Sequence, residues 1–160
     1  MNLSAHFTLE EFTSSQTAAR LGIDNTLPPA LYANARRVCE RLELVRRLVN
    51  QHQKTLGVPN PNKEIPIMIS SGYRCRALNE AIGGSASSAH MNALAVDFTI
   101  PAFGKPITVA QFIAANGIEF DQLIYEFGTW VHLGLTAIEA AERGEILHIG
   151  VGTGYLPGLP

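Results

Sequence analysis

Gln122-Leu123-Ile124-Tyr125-Glu126-Phe127-Gly128-Thr129-Trp130-Val131-His132-Leu133-Gly134-Leu135 contains two β-rich runs, residues 122–127 and 130–135, joined by Gly128-Thr129. Apolar and aromatic runs around a glycine-containing connection form a β-hairpin. Alternation along the second strand puts Trp130, His132 and Gly134 on one face and Val131, Leu133 and Leu135 on the other. The hairpin therefore has an apolar face for a core and a face that carries an imidazole.

Upstream of the hairpin, Thr108 is expected to cap a helix running to about Ala115, with Gly117 beyond its end, and residues 93–100 form another strand. Residues 75–82 are helical in pattern, Gly83-Gly84 stops them, and a Ser/Ala loop fills residues 85–89. Ile65-Pro66-Ile67-Met68-Ile69 begins a strand that leads into Ser70-Ser71-Gly72-Tyr73-Arg74. Earlier still, Leu31, Ala35, Val38, Leu42, Val45 and Leu48-Val49 recur at helical spacing as far as about Thr55, and the prolines and asparagines of residues 57–63 break that helix. Thr8 and Glu11 make a capping box at the start of the chain. After the hairpin, Thr136 and Glu139 repeat the capping-box spacing and open a short helix, residues 145–151 form a last strand, and a Gly/Pro-rich tail follows. Helices first and hairpin-like strands afterwards predict an α+β fold, a small antiparallel sheet flanked by helices. We read residues 1–160 as one domain: a mainly helical part over 1–60, a site-bearing sheet over 61–152 and a tail over 153–160.

A 160-residue chain with 46% hydrophobic residues can bury a real core, which excludes disorder as its main description. Twelve Lys and Arg against fourteen Asp and Glu provide no basic excess to recruit nucleic acid or an anionic membrane surface. The Arg36-Arg37 and Arg46-Arg47 pairs alternate with Glu40 and Glu43 and read as a solvated helix face. Two cysteines, Cys39 and Cys75, make neither a disulfide framework nor a thiolate zinc module, and free thiols are the default reading. No apolar run reaches the roughly 18–20 residues of a membrane span, and Met1-Asn2-Leu3-Ser4-Ala5-His6 lacks the regions of a secretory signal. The expectation is a product made in the cytoplasm without membrane insertion.

Any metal site must then be built from His and carboxylates, and His90, Asp97 and His132 are the best set. Asp97 lies inside the apolar run Leu94-Ala95-Val96-Asp97-Phe98, where an ionised carboxylate is costly unless a metal or a charged partner compensates it. Both compensations remain open at this level, as does a purely structural role for His132. Imidazole and carboxylate donors suit zinc, and three protein ligands leave a fourth tetrahedral position for water. A hydrolytic site also needs a base that is not a ligand, and Glu126 stands on the partner strand of His132. His148 is a further candidate for the site, against a satisfied strand histidine. Tyr73 and Trp130 are candidates to line a groove, against simple packing. His6 and His52 read as structural or exposed, and Cys75 has no adjacent base to make it a nucleophile.

Taken in order, Ser70-Ser71-Gly72-Tyr73-Arg74, Leu78-Asn79, Gly83-Gly84, Ser88-Ala89-His90, Ala95-Val96-Asp97 and Trp130-Val131-His132 resemble the zinc D-alanyl-D-alanine carboxypeptidase family. That family includes phage peptidoglycan endopeptidases and is structurally related to hedgehog domains. Residues 4–12 also resemble the start of phage members. The resemblance implies a hedgehog/DD-peptidase-like fold, Zn²⁺ held by His90, Asp97 and His132, Arg74 binding a substrate carbonyl or carboxylate, and Ser88 near the substrate. It further implies a monomeric peptidase acting on peptidoglycan stem peptides, reaching the wall after lysis-linked release or from a virion. The alternative is a zinc-containing wall-binding module without catalysis. Ala93 stands where the family usually has Gly. Thr129 stands where many members place the catalytic Glu, while Glu126 resembles the spacing of hedgehog-like members.

Overall fold

Thr8 starts the first helix by accepting a hydrogen bond from the Glu11 backbone while the Glu11 carboxylate accepts from the Thr8 backbone, so α1 (Leu9–Thr13) opens on a complete capping box. Ser15 caps α2 (Gln16–Leu21). Pro29 begins a 3-10 turn that leads into α3 (Tyr32–Thr55), whose Ala35, Val38, Cys39, Leu42, Val45 and Val49 make one buried stripe. Gly57, just past the end of α3, takes the left-handed conformation at φ 64° that favours glycine in a helix stop. The computed structural model describes residues 1–57, 64–138 and 140–160. The rest of the helix break expected at 57–63, and Glu139 of the second capping box, lie outside them.

The elements that follow are β1 (Met68–Ser71), α4 (Arg76–Ala81), a 3-10 turn (Ala89–Asn92), β2 (Ala95–Thr99), α5 (Pro106–Ala115), β3 (Gln122–Glu126), β4 (Trp130–Gly134), β5 (Glu145–Ile149) and β6 (Leu156–Pro157). They form a six-stranded sheet in the order β1-β2-β4-β3-β5-β6. The α+β class and the 122–135 hairpin agree with the sequence reading. The hairpin closes through Phe127 at φ 51° and Gly128 at φ 72°, with the Thr129 N–H donating to the Glu126 carbonyl at 2.9 Å.

Three local expectations give way to tertiary contacts. The sheet is mixed, because β3 and β5 run parallel while every other pair is antiparallel. The returning chain is pinned beside the start of β3: the Arg143 guanidinium forks onto the Asp121 carboxylate with two 2.7 Å bonds, and the Glu145 N–H donates to the Asp121 carbonyl. Among the described residues no helix starts at Thr136; its N–H donates to Glu142 and its hydroxyl to the Ala140 carbonyl. The α5 helix starts at Pro106 after Lys105, two residues before the expected Thr108 cap, because proline is pre-set for the first helical position.

The sheet has two unlike faces. Val96, Phe98, Leu123, Val131 and Leu133 share a core with the α3 stripe and with Val109, Ala110 and Ile113 of α5. Each fully buried Leu, Ile or Val side chain there contributes about 1.5–3 kcal/mol of transfer free energy. Asp97, Ile124, Glu126, Trp130 and His132 stand on the opposite face. The N-terminal helices reach that face indirectly, through the turn after β1. The Tyr73 N–H donates to the Phe12 carbonyl at 2.8 Å, and a Cβ on Gly72 would lie 2.3 Å from the same oxygen.

Gly72→Ala should therefore separate α1 from the turn and destabilise the fold by about 1–3 kcal/mol, the usual cost of overpacking. Gly154→Ala, where nothing lies within 4 Å of the added carbon, should stay within about 0.5 kcal/mol of the wild type. Urea unfolding of the two variants checks both expectations.

Candidate metal centre

His90 sits in the 3-10 turn that follows the Ser/Ala loop, and the chain must reverse sharply after it to enter β2. Ala93 makes that reversal at φ 53°, its N–H donating to the His90 carbonyl, although it is fully buried and is not a glycine. Left-handed backbone costs an L-residue roughly 1–2 kcal/mol, so the surrounding packing holds the turn in place. Asp97 and His132 need no such device. They are directly opposed on neighbouring antiparallel strands and so share one face of the sheet.

The three side chains converge atom on atom. His132 Nδ1 lies 2.8 Å from Asp97 Oδ1, His90 Nε2 lies 3.2 Å from the same oxygen, and the two imidazole nitrogens are 3.2 Å apart. All three residues are buried, at 2%, 3% and 7% exposure for His90, Asp97 and His132. His90 Nδ1 donates to the Gly72 carbonyl at 2.6 Å, which leaves Nε2 as a bare lone pair in the neutral ring. Burial pushes the His90 ring toward that neutral form. The centre is thus a set of lone pairs aimed at one point, which protons satisfy incompletely and a cation satisfies fully. Ligand atoms about 2.0–2.1 Å from a tetrahedral ion stand about 3.3 Å from one another, close to these separations.

Burial alone would raise the Asp97 carboxyl. The adjacent His90 and His132 rings, with His132 Nδ1 donating to Oδ1, outweigh it and hold the group well below the usual carboxylate range. Its second oxygen, Oδ2, accepts from Arg74 at 2.5 Å, and Arg74 Nε donates to Ser71 Oγ at 2.8 Å. Glu126 is close without belonging to the cluster: its Oε1 is 4.0 Å from His132 Nδ1, and Oε2 accepts from the Trp130 indole at 3.0 Å. Burial, with the charge of Asp97 adding to it, pushes the Glu126 carboxyl above its ordinary value against the pull of His132 and the indole.

The sequence profile described as Peptidase M15 matches residues 5–134, which spans all of these side chains. The chain belongs to peptidase family M15. No curated protein matches the sequence. M15 peptidases are metal-dependent enzymes, usually with zinc, and the His-Asp-His cluster provides donors suited to such an ion.

Among the residues expected in this M15 site, the fold brings together His90, Asp97, His132, Arg74, Glu126 and Trp130. Trp130 shares the sheet face of His132, stacks its ring near Phe127 and orients Glu126. Ser88 heads the His90 turn half-buried, and its hydroxyl has no partner among the described residues. Two expectations are corrected. Tyr73 does not line a groove: its side chain is 7% exposed and belongs to the core, because the turn after β1 packs against α1. His148 does not face the site either. It pairs with Tyr125, on the core side of β3, and its Nδ1 donates to the Gly158 carbonyl at 2.8 Å. Sequence reasoning missed the supporting roles of Ser71 and of the Gly72 carbonyl. Both lie in the quoted 70–74 run, but only the bulge between Ile69 and Ser71 turns Ser71 toward Arg74.

Replacing any one of His90, Asp97 or His132 by Ala should remove most of the metal from protein purified with zinc present, since two remaining ligands hold an ion poorly. Asp97→Asn should lose metal and also stability, by the roughly 3–5 kcal/mol expected when the buried Arg74 charge loses its partner. Metal analysis and thermal unfolding read the two effects separately.

Proposed function

We propose that this M15 member is a zinc peptidase that hydrolyses stem peptides of bacterial peptidoglycan, in the role of a phage endolysin or virion-associated lysin. The observation that carries the reading is Glu126: a partly desolvated carboxylate on the same sheet face as the three donors, beside them and not one of them. The family supports a peptidase, and the quoted motifs support the wall peptide as its substrate through their resemblance to phage members. In that role the protein reaches the wall after lysis-linked release or as part of a virion.

Two imidazoles and a carboxylate favour zinc, which when bound acidifies water to a pKa of about 7 and polarises a carbonyl. The rest of the chemistry belongs to the chain. Glu126 takes a proton from the attacking water as the new C–O bond forms, then delivers it to the amine as the C–N bond breaks, leaving a carboxylate and a free amino terminus. A raised carboxyl accepts and returns that proton with a smaller mismatch than an ordinary one. Arg74 spends Nε on Ser71 and one Nη2 hydrogen on Asp97, so both Nη1 hydrogens and the second Nη2 hydrogen are left for a substrate carbonyl or carboxylate. Trp130 holds Glu126 in place.

Incubation of the metal-loaded protein with purified peptidoglycan should release new amino termini, and a chelator should abolish the release. Glu126→Gln should keep its metal and lose a factor on the order of 10²–10⁴ in rate. Metal-bound wild type that binds the wall without cutting it would instead identify a non-catalytic wall-binding module. Arg74→Lys should remain folded and lose about tenfold or more in turnover, because an ammonium cannot serve Ser71, Asp97 and a substrate from one planar fork.

A further inference from the structure

The family match ends at residue 134, yet the sheet continues through β5 and β6, which lie beyond β3, the strand that carries Glu126. In the β5–β6 pair Leu147 opposes Pro157 and His148 opposes Leu156, so Tyr155, the residue just before β6, lies one step further along that register, level with Ile149. Ile149 is paired with Glu126, and Glu126 with Trp130. Residues in one row across a sheet project from the same face, which puts Tyr155 on the face of Glu126, His132 and Asp97. The backbones of β3 and β6 are two strand spacings apart, about 9.5 Å, a gap that long side chains reach into from both ends.

The segment is held at both ends of this position. The Gly158 N–H donates to the Ile146 carbonyl, His148 donates to the Gly158 carbonyl, and Leu159 packs against the core. On the other side Thr153 closes a turn with Gly150 through its hydroxyl and its N–H. Tyr155 itself is 57% exposed, and its phenol hydroxyl has no partner among the described residues. A tyrosine anchored on both flanks and free at its hydroxyl is a donor awaiting a ligand.

We propose that Tyr155 is a substrate-contacting residue whose phenol hydroxyl donates a hydrogen bond to the scissile carbonyl oxygen as that oxygen gains negative charge. An ordinary phenol is already protonated at neutral pH, and partial burial with the negative charges of Glu126 and Asp97 pushes this one further up. It stands on the side of Glu126 opposite Trp130, so a peptide crossing the face passes between the indole and the phenol. No proton leaves the phenol; the hydrogen bond strengthens as charge develops and weakens when the C–N bond breaks. This inference rests on the peptidase reading given above.

The test compares wild type, Tyr155→Phe and Tyr155→Ala, each zinc-loaded. It measures kcat and KM on muropeptides, metal content, thermal stability, and calorimetric affinity for a phosphinic pseudodipeptide that mimics the tetrahedral carbon. Tyr155→Phe should keep its metal, its Tm and its KM, and lose kcat and phosphinate affinity by a common factor on the order of 10². Tyr155→Ala should show the same loss with a changed KM, because the ring is gone too. A wild type that cuts no wall fragment overturns the peptidoglycan reading, and the phosphinate comparison still decides Tyr155. Equal phosphinate affinity in wild type and Tyr155→Phe, including no binding by either, overturns the inference.

Discussion

The buried carboxylate of Asp97 is the constraint on which the site depends. Sitting in the second strand of a packed sheet, it would be strongly destabilising alone, and three side chains are arranged to offset that while Ser70 ties down its backbone. His90 and His132 approach one oxygen, Arg74 takes the other, and Ser70 donates to the Asp97 main-chain carbonyl at 3.1 Å. Two of these neighbours are in turn held by something else: His90 by the Gly72 carbonyl and Arg74 by Ser71. Such outer contacts fix ring orientation and tautomer, and they matter to metal affinity almost as much as the ligands do.

The division between the two sheet faces explains how so polar a cluster survives. Helices α3 and α5 cover one face and supply the stabilising apolar burial, which leaves the other face free to carry charge. Because Asp97 and His132 are cross-strand partners, their spacing is set by the hydrogen-bonded ladder and not by a loop. His90 comes from a turn, and its precision depends on the strained Ala93 and on the tie between Gly72 and α1. The N-terminal helices thus take part in the site through Phe12, although none of their side chains reaches it.

Much of the fold was legible because the signals were local. The Thr8 to Glu11 box, the α3 stripe and the 122–135 hairpin each depend on residues a few positions apart. The same kind of signal misled where a distant partner competed for the group. Thr136 had the spacing of a cap, but Glu142 takes its N–H. His148 stood in a late strand as a candidate for the site, but the parallel pairing of β5 with β3 turns it toward the core side. Tyr73 sat in a functional run and was absorbed by the contact of that run with α1.

The sequence by itself named His90, Asp97 and His132 as candidate ligands: an ionised Asp in an apolar strand needs a compensating partner, and the ordered motifs resemble those of a zinc-peptidase family. It also determined the α+β class through the order of its periodicities. Only the tertiary structure decided which oxygen of Asp97 meets the imidazoles and which meets Arg74, where Glu126 sits relative to His132, and that the last residues return beside Glu126. Those are matters of register and of strand direction, set by long-range hydrogen-bond ladders and by the path of the chain, which returns beside the start of β3 and so runs β5 parallel to it. A one-residue slip would leave every residue's chemistry unchanged and send each side chain to the opposite face.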